Sequence, residues 1–348
     1  MALATATGLK AGRLDTTNVV YDGGEANPPP RTWIDTHAHP FNTPGSTGGD
    51  CLDYDCLTGM LEVLDGRHID RAFLVPMPST NENPIEDDLA DAAATYPERY
   101  GYLMGGFSLN PKIHATADGQ VSREMMASFA QRADVIGQGG ALGYGEFAAL
   151  HFSMGDDHPF EEVAPDHPLF LLLAEKASRY NIPIELHMEA AIADQYVARS
   201  LAGDYNNPTQ IKGNIAGLER LLDHEPGAKI VWIHIGWDNT GDMTVTLLRS
   251  LLNRHPNLYL QIEISDNPAS LYPDHEVVDE ADTIRPEWLD LMTTFPDRFT
   301  LGSDAFYMRS DTFPDHIAPL DRFVQQLPED LASQIGYENA QTIYSLIR

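Results

Sequence analysis

Cysteine is scarce in this chain: Cys51 and Cys56 are the only two among 348 residues. That number is too low for the disulfide framework of a small secreted domain, and the spacing does not match a zinc knuckle. Both are expected as reduced thiols, which fits a cytoplasmic protein. Lysine is scarcer than the length would suggest. Of 22 basic residues 5 are Lys and 17 Arg, set against 52 acidic ones for a net charge of −30. A surface so short of positive charge repels phosphate backbones, which excludes nucleic acid as a partner. The same balance resembles that of salt-adapted proteins, and it equally fits a generically acidic protein. No apolar run approaches the roughly 18 to 20 residues that cross a bilayer. Lys10 and Arg13 follow the small apolar residues of the N-terminus, the reverse of a secretory signal, so no membrane partner is expected. Phosphate-cradling glycine loops of the G-x-G-x-x-G or G-x-x-x-x-G-K-[ST] kind are missing as well.

What is present is an alternation. Residues 1–31 read as a leader or arm rich in Gly, Thr, Asn and Pro, and residues 32–348 as one domain closed by C-terminal helices. Within that domain, short runs of Val, Ile, Leu and aromatics each give way to a segment of helical spacing. The runs begin at Trp33, Ala72, Tyr100, Ala141, Ile182, Ile230, Leu258 and Phe299. Eight strand–helix alternations at this length predict an α/β fold, a (β/α)₈ TIM barrel of parallel strands, over an open doubly wound sheet.

Catalytic groups of such a barrel collect at the C-terminal strand ends. The first run ends in His37-Ala38-His39, the fourth carries Glu146, the fifth ends in His187, the sixth in His234 and the eighth in Asp304. Period two puts both imidazoles of the H-x-H pair on one side of its strand. Imidazole and carboxylate donors suit zinc, with manganese, iron or nickel as alternatives. The nine remaining histidines, among them His68, His114, His224, His255 and His316, read as ordinary hydrogen-bonded residues.

The segments 33–40 (WIDTHAHP), 183–187 (PIELH), 231–236 (VWIHIG) and 301–304 (LGSD) together resemble the signature strands of the amidohydrolase superfamily. The resemblance is to its amidohydrolase-related branch, which includes hydrolases and the aminocarboxymuconate semialdehyde decarboxylase group. It implies that His37, His39, His187 and Asp304 bind a metal, with His234 a second-metal ligand or a free acid/base. Glu146 stands where many members carry a carboxylated lysine and resembles the bridging Glu of other subgroups, so one or two ions are expected. A metal-activated water would then attack a small carbonyl substrate, a lactone, amide or ester, with Asp304 and His234 as catalytic groups. Two alternatives stay open: a non-oxidative decarboxylase of a small carboxylic acid, and a non-catalytic binding barrel. Asp35 is placed to orient a ligand imidazole or to face the helices. Among the loop residues, His151, Glu189, Trp237, Asp238, Asn239 and Arg309 are candidate substrate contacts, Arg309 through a substrate carboxylate. A small molecule is the expected partner, and a homo-oligomer is left open.

Overall fold

The computed structural model describes residues 31–41, 49–153, 159–202, 207–265, 270–307 and 313–346. Apart from Arg31, the expected leader lies outside them, as does Arg309.

Strands rich in Val, Ile, Leu and aromatics, apolar on both faces, need cover on both sides, and a barrel ringed by helices provides it. The eight runs form β1 (Trp33–His39), β2 (Ile69–Leu74), β3 (Tyr100–Gly105), β4 (Gly143–His151), β5 (Ile184–Met188), β6 (Ile230–Ile235), β7 (Leu258–Ile262) and β8 (Phe299–Leu301). Each pairs in parallel with the next, and β8 returns to β1 through Asp35 and Leu301, closing the sheet. Helices fill the crossovers, the longest being Tyr54–Gly66, Arg123–Gln138, Pro168–Tyr180, Ile215–His224 and Val245–Arg254. Their starts follow capping chemistry: Asp53, Ser122 and Thr244 each accept a backbone N–H from the first turn. Asn181 ends Pro168–Tyr180 in the left-handed conformation that Asn tolerates.

Two apolar layers result. Outward-facing strand residues such as Trp33, Phe147, Leu186 and Trp232 pack against the helices. The barrel interior holds Ile34, Phe73, Val75, Leu103, Val231 and Ile233, and also Ala340 and Ile343 from the last helix, Asn339–Ile343, and Tyr344, which caps it. That helix sits under the N-terminal strand ends. Lys229 Nζ, just before β6, donates to the Ile343 carbonyl at 2.7 Å, and Asn339 Nδ2 donates to the Phe299 carbonyl at the start of β8 at 2.8 Å.

One expectation is overturned here. Cys51 and Cys56 form a disulfide. The turn entering Tyr54–Gly66 brings their Cα atoms to 5.4 Å, within bridging range, because Asp53 caps the Cys56 N–H and folds the chain back. The bond ties the link after β1 to the first turn of its helix.

Candidate metal centre

β1 delivers two imidazoles to the C-terminal mouth of the barrel, and neighbouring groups fix the orientation of both. His37 Nδ1 donates to Glu185 Oε2 at 2.7 Å, and His39 Nδ1 donates to the Val75 carbonyl at 2.8 Å. Both Nε2 atoms therefore turn their lone pairs to the same space, 3.3 Å apart. Two donor atoms each about 2.1 Å from one tetrahedral ion stand roughly 3.4 Å apart. Asp304 Oδ1 lies 2.9 Å from His39 Nε2 and 3.8 Å from His37 Nε2, which completes a three-donor group.

Glu146 stands between this group and a second one. Its Oε2 is 3.5 Å from His37 Nε2 and 3.6 Å from His39 Nε2, while its Oε1 is 2.9 Å from His187 Nδ1 and 3.1 Å from His234 Nε2. The set implied by the resemblance put His187 beside His37, His39 and Asp304. The structure places it across Glu146, with His234, because the carboxylate occupies the space between. The His187 and His234 ring centres are 4.7 Å apart. His234 Nδ1 lies 2.7 Å from Glu263 Oε2, and this leaves its Nε2 facing the site.

The backbone departs from ordinary geometry where two of these candidate ligands sit. His234 and Asp304 have φ of 60° and 52°, a left-handed conformation costing a non-glycine residue of order 1 kcal/mol or more. Asp35 helps to hold the second of these turns. Its Oδ1 accepts the backbone N–H of His37 at 3.2 Å and of Ser303 at 2.9 Å, and its Oδ2 accepts the Ser303 hydroxyl at 2.6 Å. Asp35 thus touches no imidazole and grips the chain one residue before Asp304. Burial lifts its carboxyl to about 6 against the pull of those hydrogen bonds.

Three buried carboxylates, Glu146, Glu185 and Glu263, and the partly exposed Asp304 surround four imidazoles. Burial disfavours charge on His37, yet Glu185 and Glu146 outweigh it and push its pKa to about 10. Burial likewise opposes ionisation of Glu146, but hydrogen bonds with His187, His234 and His37 hold it well below the usual carboxylate range. Burial works against protonated His234 too, and Glu263 and Glu146 drive it well above the ordinary imidazole value. Burial lowers His187. Bound cations would offset the desolvation of so much buried negative charge. Nitrogen and carboxylate donors with their outer atoms already tied down fit zinc or a neighbouring first-row ion.

The remaining candidates divide. His151 is buried at the end of β4, its ring 4.7 Å from that of His187. Trp237 is half-buried, and its Nε1 has no hydrogen-bond partner among the described residues. Glu189 and Asn239 bond each other, Asn239 Nδ2 donating to Glu189 Oε1 at 2.7 Å, and burial raises Glu189 to about 7. Asp238 accepts backbone N–H groups of Thr240, Gly241 and Met243 and the His275 Nδ1–H, which makes it an organiser of its loop. Glu185 and Glu263 escaped the sequence reading. The signal was a carboxylate inside an apolar strand two residues before His187, and another at the end of the seventh run.

Residues 34–346 match the family model described as Amidohydrolase. No curated protein matches the chain by sequence. Several solved structures share its fold. A probable 2-pyrone-4,6-dicarboxylic acid hydrolase from Acinetobacter baumannii has 15% identity and a TM-score of 0.52, with 90% of this chain and 99% of that one covered. The 2,6-dihydroxybenzoate decarboxylase from Rhizobium has 16% identity and a TM-score of 0.52, covering 91% and 99%. A dihydroxybenzoic acid decarboxylase from a Polaromonas species, with bound manganese and 2-nitroresorcinol, has 16% identity and a TM-score of 0.53, covering 91% and 98%.

Proposed function

The chain belongs to the amidohydrolase family, and from that premise we propose that it hydrolyses a small molecule at a carbonyl centre, a lactone, amide or ester. His37, His39 and Asp304 would hold one divalent cation, zinc or a near neighbour, and His187 and His234 a second, with Glu146 shared between them. The observation that carries this reading is the division of Glu146, one oxygen facing the β1 imidazoles and the other facing His187 and His234. Bound cations of this kind supply Lewis-acid polarisation of a carbonyl and an acidified water.

The protein's own groups do the rest. About a quarter of the Asp304 side chain is exposed, unlike the other carboxylates of the site, so it is the one that substrate and water reach. Its carboxylate takes the proton of the attacking water and passes it to the leaving group. Glu185, the Val75 carbonyl and Glu263 keep His37, His39 and His234 in the orientation that faces the substrate side. His151 and Trp237 line the approach, where the indole N–H has a hydrogen bond to give.

Glu146→Gln tests the reading. It keeps the shape and removes the charge that a carboxylate shared by two cations must carry. Elemental analysis after identical loading should give about two ions per chain for the unaltered protein and about one for the variant. Hydrolysis should fall with the lost ion. One ion in both proteins would overturn the two-ion reading.

A decarboxylase is the second reading, and one observation favours it. His234 stands at the edge of the three-donor group with its Nδ1 2.7 Å from Glu263 Oε2, and Glu263 and Glu146 favour its protonated form against burial. With a single ion at His37, His39 and Asp304, a proton on that imidazole would be available to the substrate carbon that keeps the electron pair as its carboxylate leaves as carbon dioxide.

A further inference from the structure

Tyr344 is a fully buried tyrosine in an apolar plug. Its ring packs edge-on against Phe73, centres 4.9 Å apart, among Ile34, Val75, Leu103, Val231 and Ile233. Phenylalanine would fill that space equally well, and a hydroxyl taken out of water without a partner is destabilising. The hydroxyl has one strong partner. It donates to Glu185 Oε1 at 2.5 Å, while Glu185 Oε2 accepts the His37 Nδ1–H at 2.7 Å. The remaining neighbour of that carboxylate is Gln261 Nε2, 3.5 Å from Oε1 and bonded more closely to Thr36 Oγ1 at 2.9 Å.

We propose that Tyr344 and Glu185 are positioning residues of the metal centre, through which the last helix sets how strongly His37 holds a divalent cation. The inference rests on the metal-centre reading above. A carboxylate accepting the outer N–H of a ligand imidazole fixes its tautomer and ring angle and strengthens the inner nitrogen as a donor. Glu185 holds that role only while its own rotamer is fixed, and the Tyr344 hydroxyl is the group that fixes it from below. Tyr344 is held in turn from outside the barrel. Lys229 Nζ grips the Ile343 carbonyl at 2.7 Å, and the Ser345 hydroxyl donates to the Asn181 carbonyl at 2.9 Å. A chain of contacts therefore runs from the N-terminal end of the barrel to a ligand at its other end.

The test measures zinc affinity by competition with a chromophoric chelator, on the full chain stripped of metal and checked for folding by circular dichroism. Four variants suffice: Glu185→Gln, Tyr344→Phe, the two combined, and Ile343→Val. Glu185→Gln should weaken zinc binding about 10- to 100-fold, the range for loss of such a partner. Tyr344→Phe should weaken it several-fold. The combined variant should match Glu185→Gln alone, because Tyr344 acts only through Glu185. Ile343→Val trims the same plug, so it should lower the melting temperature and leave zinc affinity unchanged. Tyr344→Phe binding zinc as the unaltered protein does would overturn the proposal, and so would a Tyr344→Phe effect that persists in full on the Glu185→Gln background. An unaltered protein that binds no zinc, manganese, iron or nickel would overturn the metal-centre reading, and this inference with it. Should Tyr344→Phe fail to fold, Glu185→Gln decides: unchanged affinity there sinks the proposal.

Discussion

Glu161 and His114 show what burial does to a pair of opposite titratable groups. Glu161 Oε1 lies 3.4 Å from His114 Nε2 and accepts from Asn110 Nδ2 at 2.9 Å. Burial lifts the Glu161 carboxyl to about 8 and lowers the His114 imidazole to about 4, so near neutrality the pair is uncharged. The two have opposite linkage. Glu161's folded pKa lies above its ordinary 4.5, so its contribution is lost as pH rises from there through about 8. His114's lies below its ordinary 6.5, so its contribution grows as pH rises from about 4 to 6.5. Where the windows overlap they cancel, and a fall in stability remains between about 6.5 and 8. Glu161→Gln removes that fall. Denaturant unfolding at pH 6.5 and 8.5 should show the variant gaining on the unaltered protein by on the order of 2 kcal/mol at the higher pH. An equal difference at both pH values would mean that Glu161 ionises freely in the fold. At this scale the sequence was informative where residue type and position coincide. His37, His39, His187, His234 and Asp304 follow apolar runs, and the structure gathers all five. Glu185, Glu263 and Tyr344 were not legible as partners, since each matters through a contact between elements far apart in sequence.

At the level of elements, the strands were legible because a barrel strand buries both faces and reads as an unbroken apolar run. The closing helix was legible too, but its place was not, because an amphipathic helix has the same periodicity whether it lies on a barrel's side or under its floor. The break between β8 and Asp304 was equally hidden. A Cβ at Gly302 would collide with the Gln261 amide, so any other residue there would have to displace that buried side chain. The chain then rejoins β1 in parallel at Ala305–Phe306. The Cys51–Cys56 bridge was read from spacing alone as two thiols, and the capped turn that joins them is a feature of the folded helix start. Closing so short a loop is worth about 2 kcal/mol in the chain-entropy model. Replacing both residues, Cys51→Ser with Cys56→Ser, should lower the melting temperature under oxidising conditions and erase the difference between oxidised and reduced samples. A melting temperature insensitive to reductant in the unaltered protein would show that the bridge contributes nothing.

For the whole molecule, charge is the dominant unexplained property. Among the described residues several basic groups are paired with carboxylates: Arg132 with Glu86 and Asp87, Arg99 with Asp65, Lys176 with Asp134, Arg220 with Asp166, Arg249 with Asp290. Whatever the pairing, the chain keeps an excess of 30 negative charges with no protein counter-charge. Salt acts on these two populations in opposite directions. It weakens exposed ion pairs, each worth about 0 to 1 kcal/mol, and it screens the mutual repulsion of the surplus carboxylates. The surplus outnumbers the whole basic complement, and repulsion sums over many pairs at longer range than a salt bridge. The Debye length shrinks from about 30 Å at 0.01 M to 3 Å at 1 M, so most of that repulsion is removed within this interval. Screening should therefore win. The melting temperature in potassium chloride should climb steadily from 0.01 M to 1 M. The rise should persist in Glu146→Gln, which changes the proposed metal centre and barely alters the surface. If the climb levels off near 0.1 M, the chain is acidic without being adapted to high salt, since screening beyond the first Debye length would then bring nothing more. A flat or falling curve would show that the ion pairs matter more than the surplus, and the salt-adapted reading of the composition would have to be given up.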